Sequence, residues 1–409
     1  MTLKKYNFKQ YTKFTFFLIF LMLLLITTFN AFMDPFAIFN GPKIIGVNAN
    51  KPVLSTHVRL TKSMAIRSKK PDSIILGNSR AEYGIDPKHP VWGNQKVYNL
   101  GLGNASVYEI YRYLQHAQEI QPLKEVVLML DFVMFNAIGN REKEDFEERR
   151  LATDYTGNRQ GGVWSDLSTS LLSFDAMVSS VETLFNQDYS DIVYLTNGMI
   201  ESTFRSAHIN GYHESFLVNE KGYFSGPSYQ PFSFSSVYRN NWSIYRKIIV
   251  LAHKNKIDLK IAISPVHARQ LEIFSNMGLW SDFEKWKRQL VSINEKVASN
   301  TGKSSFKLLD FSGYNKYTTE NLPDIGDHET IMQWYWESSH YKKELGDLVL
   351  DDLFEYRHTS RDGDHKFGVQ ITSNNIDSHL EIIRQEKKTW RKNNPNGVDE
   401  LNAMKELIH

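Results

Sequence analysis

Short apolar runs recur along this chain, each bounded by turn residues and separated from the next by a helical pattern. Ser73–Leu76, 96–100, Glu125–Leu130, Asp258–Ile263 and 306–311 are those runs. Each is short, continuous and apolar enough to be a buried strand rather than a half-exposed one. Between them, 108–120, 242–254, 280–299 and 344–356 read as helices, and Ser106 with Glu109 three residues on forms a capping box for the first. Strands alternating with helices of this length predict βαβ units and a parallel sheet, hence an α/β fold. In such sheets, sites lie beyond the carboxyl ends of the strands. Here those ends carry Ser79, the loop after Leu100, the loop after Asp131, the segment from Pro265 to Arg269, and Asp310.

The N-terminus has a different character. Lys4, Lys5, Lys9 and Lys13 precede an uncharged stretch, 14–33. As a helix it is about 30 Å long, enough to cross a bilayer. Residues 27–32 are too bulky for a small-x-small cleavage site, and the lysines favour the cytoplasmic side. The expectation is a single-pass signal anchor in the cytoplasmic membrane, with the rest of the chain on the periplasmic or extracellular side; a cleaved signal peptide is the alternative. Residues 1–13 are then cytoplasmic, and 34–70 a connector broken by Pro35, Pro42 and Pro52. An α/β domain follows over 71–357. An insertion at 136–235 interrupts its rhythm and reads as a cap or lid, with a solvated charge run from Arg141 to Arg150. Residues 358–409 read as a C-terminal helical appendage.

Composition narrows the chemistry. The net charge of +2 provides no field for nucleic acid or an acidic partner. Cysteine is absent, which excludes disulfides, thiolate metal sites and a cysteine nucleophile. His328 and His340 have no partner at metal-ligand spacing, Gly101-x-Gly103 lacks the third glycine of a dinucleotide loop, and no Walker-type loop occurs, so no metal or cofactor is expected.

Two segments carry the chemistry. Gly77-Asn78-Ser79-Arg80 follows the first strand, where a tight turn can hold a serine exposed at the carboxyl edge of the sheet. Glu337-Ser338-Ser339-His340-Tyr341 precedes the last helix, and an acid three residues before a histidine can touch that ring's second nitrogen. Together they would be nucleophile, base and orienting acid. The plainer readings are a serine helix cap and a solvated histidine. Asp310 is a rival orienting acid, or else a strand-end turn cap. His267, Arg269 and Arg80 are candidates for substrate binding, the arginines for anionic sugars; the alternative is that they brace loops.

With these motifs in order, the chain resembles the SGNH (GDSL-like) hydrolase superfamily, and more narrowly its membrane-anchored members linked to acylation of bacterial envelope polymers. The resemblance covers roughly 70–135 and 240–356, and Tyr98-Asn99-Leu100-Gly101-Leu102-Gly103-Asn104-Ala105-Ser106 fits the family's second block. It implies a three-layer, flavodoxin-like parallel sheet. It also implies Ser79 as nucleophile, His340 as base and Glu337 as the acid, where the family usually has Asp. The oxyanion hole would combine the Ser79 N–H, an N–H at Gly103 or Asn104, and a third-block Asn side chain. That Asn is out of register here, and Asn136 is the candidate if its loop folds back. The implied activity is O-acyl transfer or ester hydrolysis, commonly of acetyl, on an envelope or exported polysaccharide, beside a polytopic membrane O-acyltransferase. A non-catalytic glycan- or acyltransferase-binding partner is the alternative.

Overall fold

A computed structural model describes residues 7–39, 41–139, 142, 144–188, 192–202, 205–356 and 367–408. Arg141, at the head of the expected charge run, and the start of the expected C-terminal appendage lie outside the described residues. The chain divides into two compact units, Met1–Ala65 with Glu147–Ser190, and Ile66–Phe146 with Asp191–His409. Residues 136–235, read from sequence as one insertion, contribute to both.

The strands are β1 (Ser73–Leu76), β2 (Val97–Asn99), β3 (Glu125–Leu130), β4 (Ile192–Tyr194), β5 (Ile200–Ser202), β6 (Asp258–Ile263), β7 (Leu308–Asp310) and β8 (Val369–Gln370). The helices begin with α1 (Phe8–Met33), α2 (Val58–Lys69), α3 (Ser79–Gly84), α4 (Val107–Ile120), α5 (Val163–Leu172), α6 (Phe174–Phe185) and α7 (Arg205–Asn210). They continue with α8 (Tyr212–Ser225), α9 (Asn241–Asn255), α10 (Ala268–Asn276), α11 (Trp280–Asn300), α12 (Lys343–Phe354), α13 (Ile376–Asn393) and α14 (Pro395–Ile408). Residues 34–70, expected as a connector, hold α2: the prolines break only its first half, and none occurs between Val58 and Lys69.

The second unit is α/β, built on a six-stranded sheet in the order β2-β1-β3-β6-β7-β8. Its first five strands run parallel, and β8 pairs antiparallel with β7. β3 is flanked on both sides and buried at all six positions, which is why it reads as an unbroken apolar run. α4 begins with the expected capping box: the Ser106 side chain accepts from the Glu109 N–H, and the Glu109 carboxylate accepts from the Ser106 N–H. The order of the sheet reverses at β1, which lies between β2 and β3. Crevices beyond the carboxyl ends of strands open at such switch points.

The first unit holds α1, a helix with a mean hydropathy of 2.4 over its most apolar window, long and apolar enough to cross a membrane. Its N-terminus is capped by Asn7, and its C-terminus ends on Asp34 in the left-handed region, whose carboxylate accepts the N–H groups of Ile38 and Phe39. α5 and α6 pack against α1.

Candidate active site

Ser79 stands where β1 turns into α3. Gly77 makes the turn possible, since a Cβ there would lie 2.6 Å from the Ala81 Cβ and 3.1 Å from the Met129 carbonyl. Asn78 caps α3 by accepting the Arg80 N–H at 3.0 Å. Ser79 is thus the first residue of the helix, half-buried, at the carboxyl end of the strand where the sheet order reverses.

His340 comes from a tight loop closed by antiparallel pairing. Trp336 donates its N–H to the His340 carbonyl at 2.9 Å, and Lys342 donates to the Trp334 carbonyl at 2.8 Å. Two further bonds pin the tip: the His267 N–H to the Ser338 carbonyl at 3.0 Å, and Arg80 Nε to the Ser339 carbonyl at 2.9 Å. The imidazole Nε2 then lies 2.7 Å from Ser79 Oγ, and its Nδ1 is hydrogen-bonded to Glu337. That arrangement suits the tautomer with the proton on Nδ1, leaving Nε2 to accept from the serine hydroxyl.

Glu337 is fully buried, and its extra methylene relative to Asp is absorbed by curling back on its own loop. Its carboxylate accepts the N–H of Ser339 at 2.9 Å and of His340 at 2.8 Å. Tyr223 donates its hydroxyl between both oxygens, at 3.2 and 3.1 Å. Burial opposes ionisation, but His340 and these donors overcome it and hold the carboxyl below its usual range. Burial and the neighbouring Glu337 raise the Tyr223 phenol well above its usual value, so it stays a donor. Tyr83 presents its ring edge-on to His340 at 5.2 Å between centroids; burial, then Glu82, pushes its phenol up to about 12.

The second-block loop lies beside the serine turn. Leu102 donates its N–H to the Gly77 carbonyl at 3.0 Å, and Gly103 and Asn104 come next. Asn104 adopts a left-handed φ of 52°, a conformation asparagine tolerates better than most residues. A residue missed at the sequence level organises this corner. Asn99 Oδ1 accepts the Gly101 N–H at 2.9 Å, while its Nδ2 donates to the Ala81 and Ile85 carbonyls at 2.8 and 2.9 Å. Its signal was a polar residue ending an otherwise apolar strand.

The other expected ligands are engaged elsewhere. Asn136 does not serve as a third oxyanion donor: its Nδ2 donates to the Ser228 and Pro231 carbonyls at 3.0 and 2.9 Å, and its Oδ1 accepts from Ile138 and Ser233. Arg80 is a brace, paired with Asp131 and donating to both the carbonyl and hydroxyl of Ser339. Burial weakens its charge, but Asp131 more than restores it, so its pKa is raised. His267 caps α10 and bonds through Nε2 to the Glu320 carbonyl at 2.7 Å; burial pulls it down to about 3, so it is neutral. Arg269 grips Glu220 with two bonds, at 2.8 and 2.6 Å, and reaches Glu400 at 2.8 Å. Asp310 binds Lys287 at 2.6 Å and His379 at 2.8 Å and makes no bond to His340. These four charged or titratable side chains were read from strand-end position alone, and their partners sit on distant elements that position does not reveal.

The structure therefore brings Ser79, His340 and Glu337 into one hydrogen-bonded chain, with Gly103 and Asn104 following the residue tied to the serine turn. Among the described residues, no group of three His, Asp or Glu side chains is placed to hold a metal ion. Neither any family description nor any curated protein matches this chain.

Proposed function

We propose that this protein is a membrane-anchored serine acyltransferase or esterase of SGNH type, acting outside the cytoplasm on O-acyl groups, principally acetyl, of an envelope or exported polysaccharide. The observation that carries the reading is the 2.7 Å bond from Ser79 Oγ to His340 Nε2, with Glu337 bonded to the opposite ring nitrogen. Two further features support it: the parallel strands follow the order of flavodoxin-like sheets, and the serine stands at their switch point.

In this reading Ser79 Oγ attacks the acyl carbonyl carbon while His340 Nε2 takes the hydroxyl proton. Glu337 remains ionised and stabilises the imidazolium so formed. The tetrahedral oxyanion is held by the N–H of Ser79 and that of Gly103 or Asn104. It collapses as His340 returns the proton to the leaving oxygen, and acyl-Ser79 remains. A sugar hydroxyl or water, deprotonated by the same histidine, then attacks the acyl carbon and releases Ser79. Losing one oxyanion donor costs about 2.7–4 kcal/mol in comparable sites. With Asn136 tied to the segment from Ser228 to Ser233, two backbone donors imply a slow or specialised enzyme. The anchor would set the domain beside a polytopic O-acyltransferase supplying the acyl group.

The test uses the full-length chain in detergent micelles, wild type beside Ser79→Ala, with p-nitrophenyl acetate and a fluorophosphonate label. Serine-dependent hydrolysis and labelling are expected. Equal rates and no labelling would overturn the catalytic reading in favour of a non-catalytic binding partner.

A further inference from the structure

In the hairpin of α5 and α6, α6 is built inside out. On α6 the buried positions are Ala176, Ser179, Ser180 and Thr183, all small and three of them hydroxylic. The opposite face carries Phe174, Val178, Val181 and Phe185, spaced four, three and four residues apart, so they form one stripe along the helix. Phe174 is 76% exposed and Phe185 77%. On α5 the pattern is mixed: Asp166 and Ser170 are buried while Trp164 is 85% exposed and Leu172 48%, but Ser168 and Thr169 are exposed too and Leu167 packs inward. A helix facing water would present the α6 residues the other way round. Small residues at helix contacts with apolar residues outward are what a lipid environment selects.

The place of the hairpin within its unit points the same way. Along α1, residues 16–25 are exposed throughout, and burial begins only near the C-terminal end, where α5 and α6 pack. Asn30, one turn from that end, donates its side-chain amide to the Leu171 carbonyl at 2.9 Å, where α5 passes into α6. If 14–33 spans the roughly 30 Å hydrocarbon layer, this bond lies at its outer boundary. Residues 160–204 contain no Lys or Arg. The acids Asp175 and Glu182 flank the α6 stripe on one edge, and Asp175 lies 3.3 Å from His57 Nε2. An apolar stripe with a charged edge suits a helix lying in the plane between headgroups and acyl chains.

We infer that α5 and α6 form a second membrane element, an interfacial hairpin whose Phe174–Phe185 face is covered by the outer-leaflet lipid surrounding α1. This rests on the reading of α1 as a membrane anchor. It gives the first unit two lipid contacts instead of one, and fixes the tilt and rotation of α1 at the outer surface.

Because the chain has no cysteine, single cysteines can be labelled cleanly with an environment-sensitive fluorophore. The full-length chain is reconstituted into phosphatidylcholine–phosphatidylglycerol vesicles as Phe174→Cys, Phe185→Cys, Phe20→Cys in mid-span, and Lys388→Cys on exposed α13, each first shown to keep the wild-type circular dichroism spectrum. Vesicles then carry nitroxide quenchers at shallow or deep acyl positions. The expected result is loss of fluorescence at 174 and 185 with the shallow quencher, at 20 with the deep one, and at 388 with neither. Quenching at 20 with 174 and 185 behaving like 388 would overturn the hairpin proposal while leaving the anchor intact. No quenching at 20 would overturn the anchor reading and the hairpin with it.

Discussion

In two of the carboxylate–histidine pairs of the α/β unit the acid is fully buried: Asp310 with His379 and Glu337 with His340. Both acids are buried, and in both burial is overcome so that the carboxyl is held below its usual range. They differ in what else each acid binds. Asp310 already has the buried ammonium of Lys287 at 2.6 Å, so its charge is matched before His379 contributes anything. Glu337 is bonded to two backbone N–H groups, a phenol and the imidazole, and among the described residues no Lys or Arg bonds it. A carboxylate bonded only by dipoles, with Arg80 acting on it through space while paired to Asp131, gains a counter-charge in direct contact when its histidine takes a proton; one already bonded to a cation gains far less. The first arrangement favours a general base, the second holds a fold together.

The comparison can be broken at several points. Ser79→Ala or His340→Ala should reduce ester hydrolysis by about 10⁴-fold or more while leaving the thermal unfolding midpoint in place. Glu337→Gln should lower kcat by about 10³–10⁴-fold, since it keeps the shape but removes the charge behind His340, and Glu337→Asp should retain measurable turnover. If Glu337→Ala left turnover intact, the assignment of the acid would be wrong.

Asp310→Asn should act on stability instead, costing about 3–5 kcal/mol in urea unfolding because Lys287 is left uncompensated, with kcat per folded molecule unchanged. Its pH dependence has a definite sign. A depressed folded pKa contributes stability that is present above the unfolded carboxyl value of about 4 and is lost as pH falls through the folded value. The stability gap between wild type and Asp310→Asn should therefore stay constant from neutrality down to about 4 and close progressively below it. Tyr223→Phe removes one donor from a charged acceptor, worth about 1.5–3 kcal/mol, and should appear as a drop in kcat of about tenfold or more. Asn136→Ala should leave kcat unchanged and cost about 1–3 kcal/mol of stability, the mark of a loop brace rather than an oxyanion donor.

What was legible in the sequence was local. The boundaries of β1, β3 and β6 follow from apolar runs closed by turn residues, and the Ser106–Glu109 box from a four-residue pattern. Ser79 was marked by the strand before it, and Glu337 with His340 by a spacing of three. Pairings between distant elements were not legible. Nothing near Arg269 announces Glu220 or Glu400, and nothing near Asp310 announces Lys287 and His379. The short antiparallel β8 was missed because two exposed residues leave no periodicity to read. The inverted face of α6 was equally hidden: an apolar period identifies a helix face without saying whether protein or lipid lies against it.

Arg80 sits one residue after Ser79, and its guanidinium holds Ser339, one residue before His340. The two peptide links, the arginine's bonds and the Ser79–His340 bond close a small ring. Such a ring behaves as a caliper. Thermal displacement of either loop carries both jaws together, so their gap changes less than their positions do. The long stretch of chain between them can lengthen, shorten or breathe without resetting that gap.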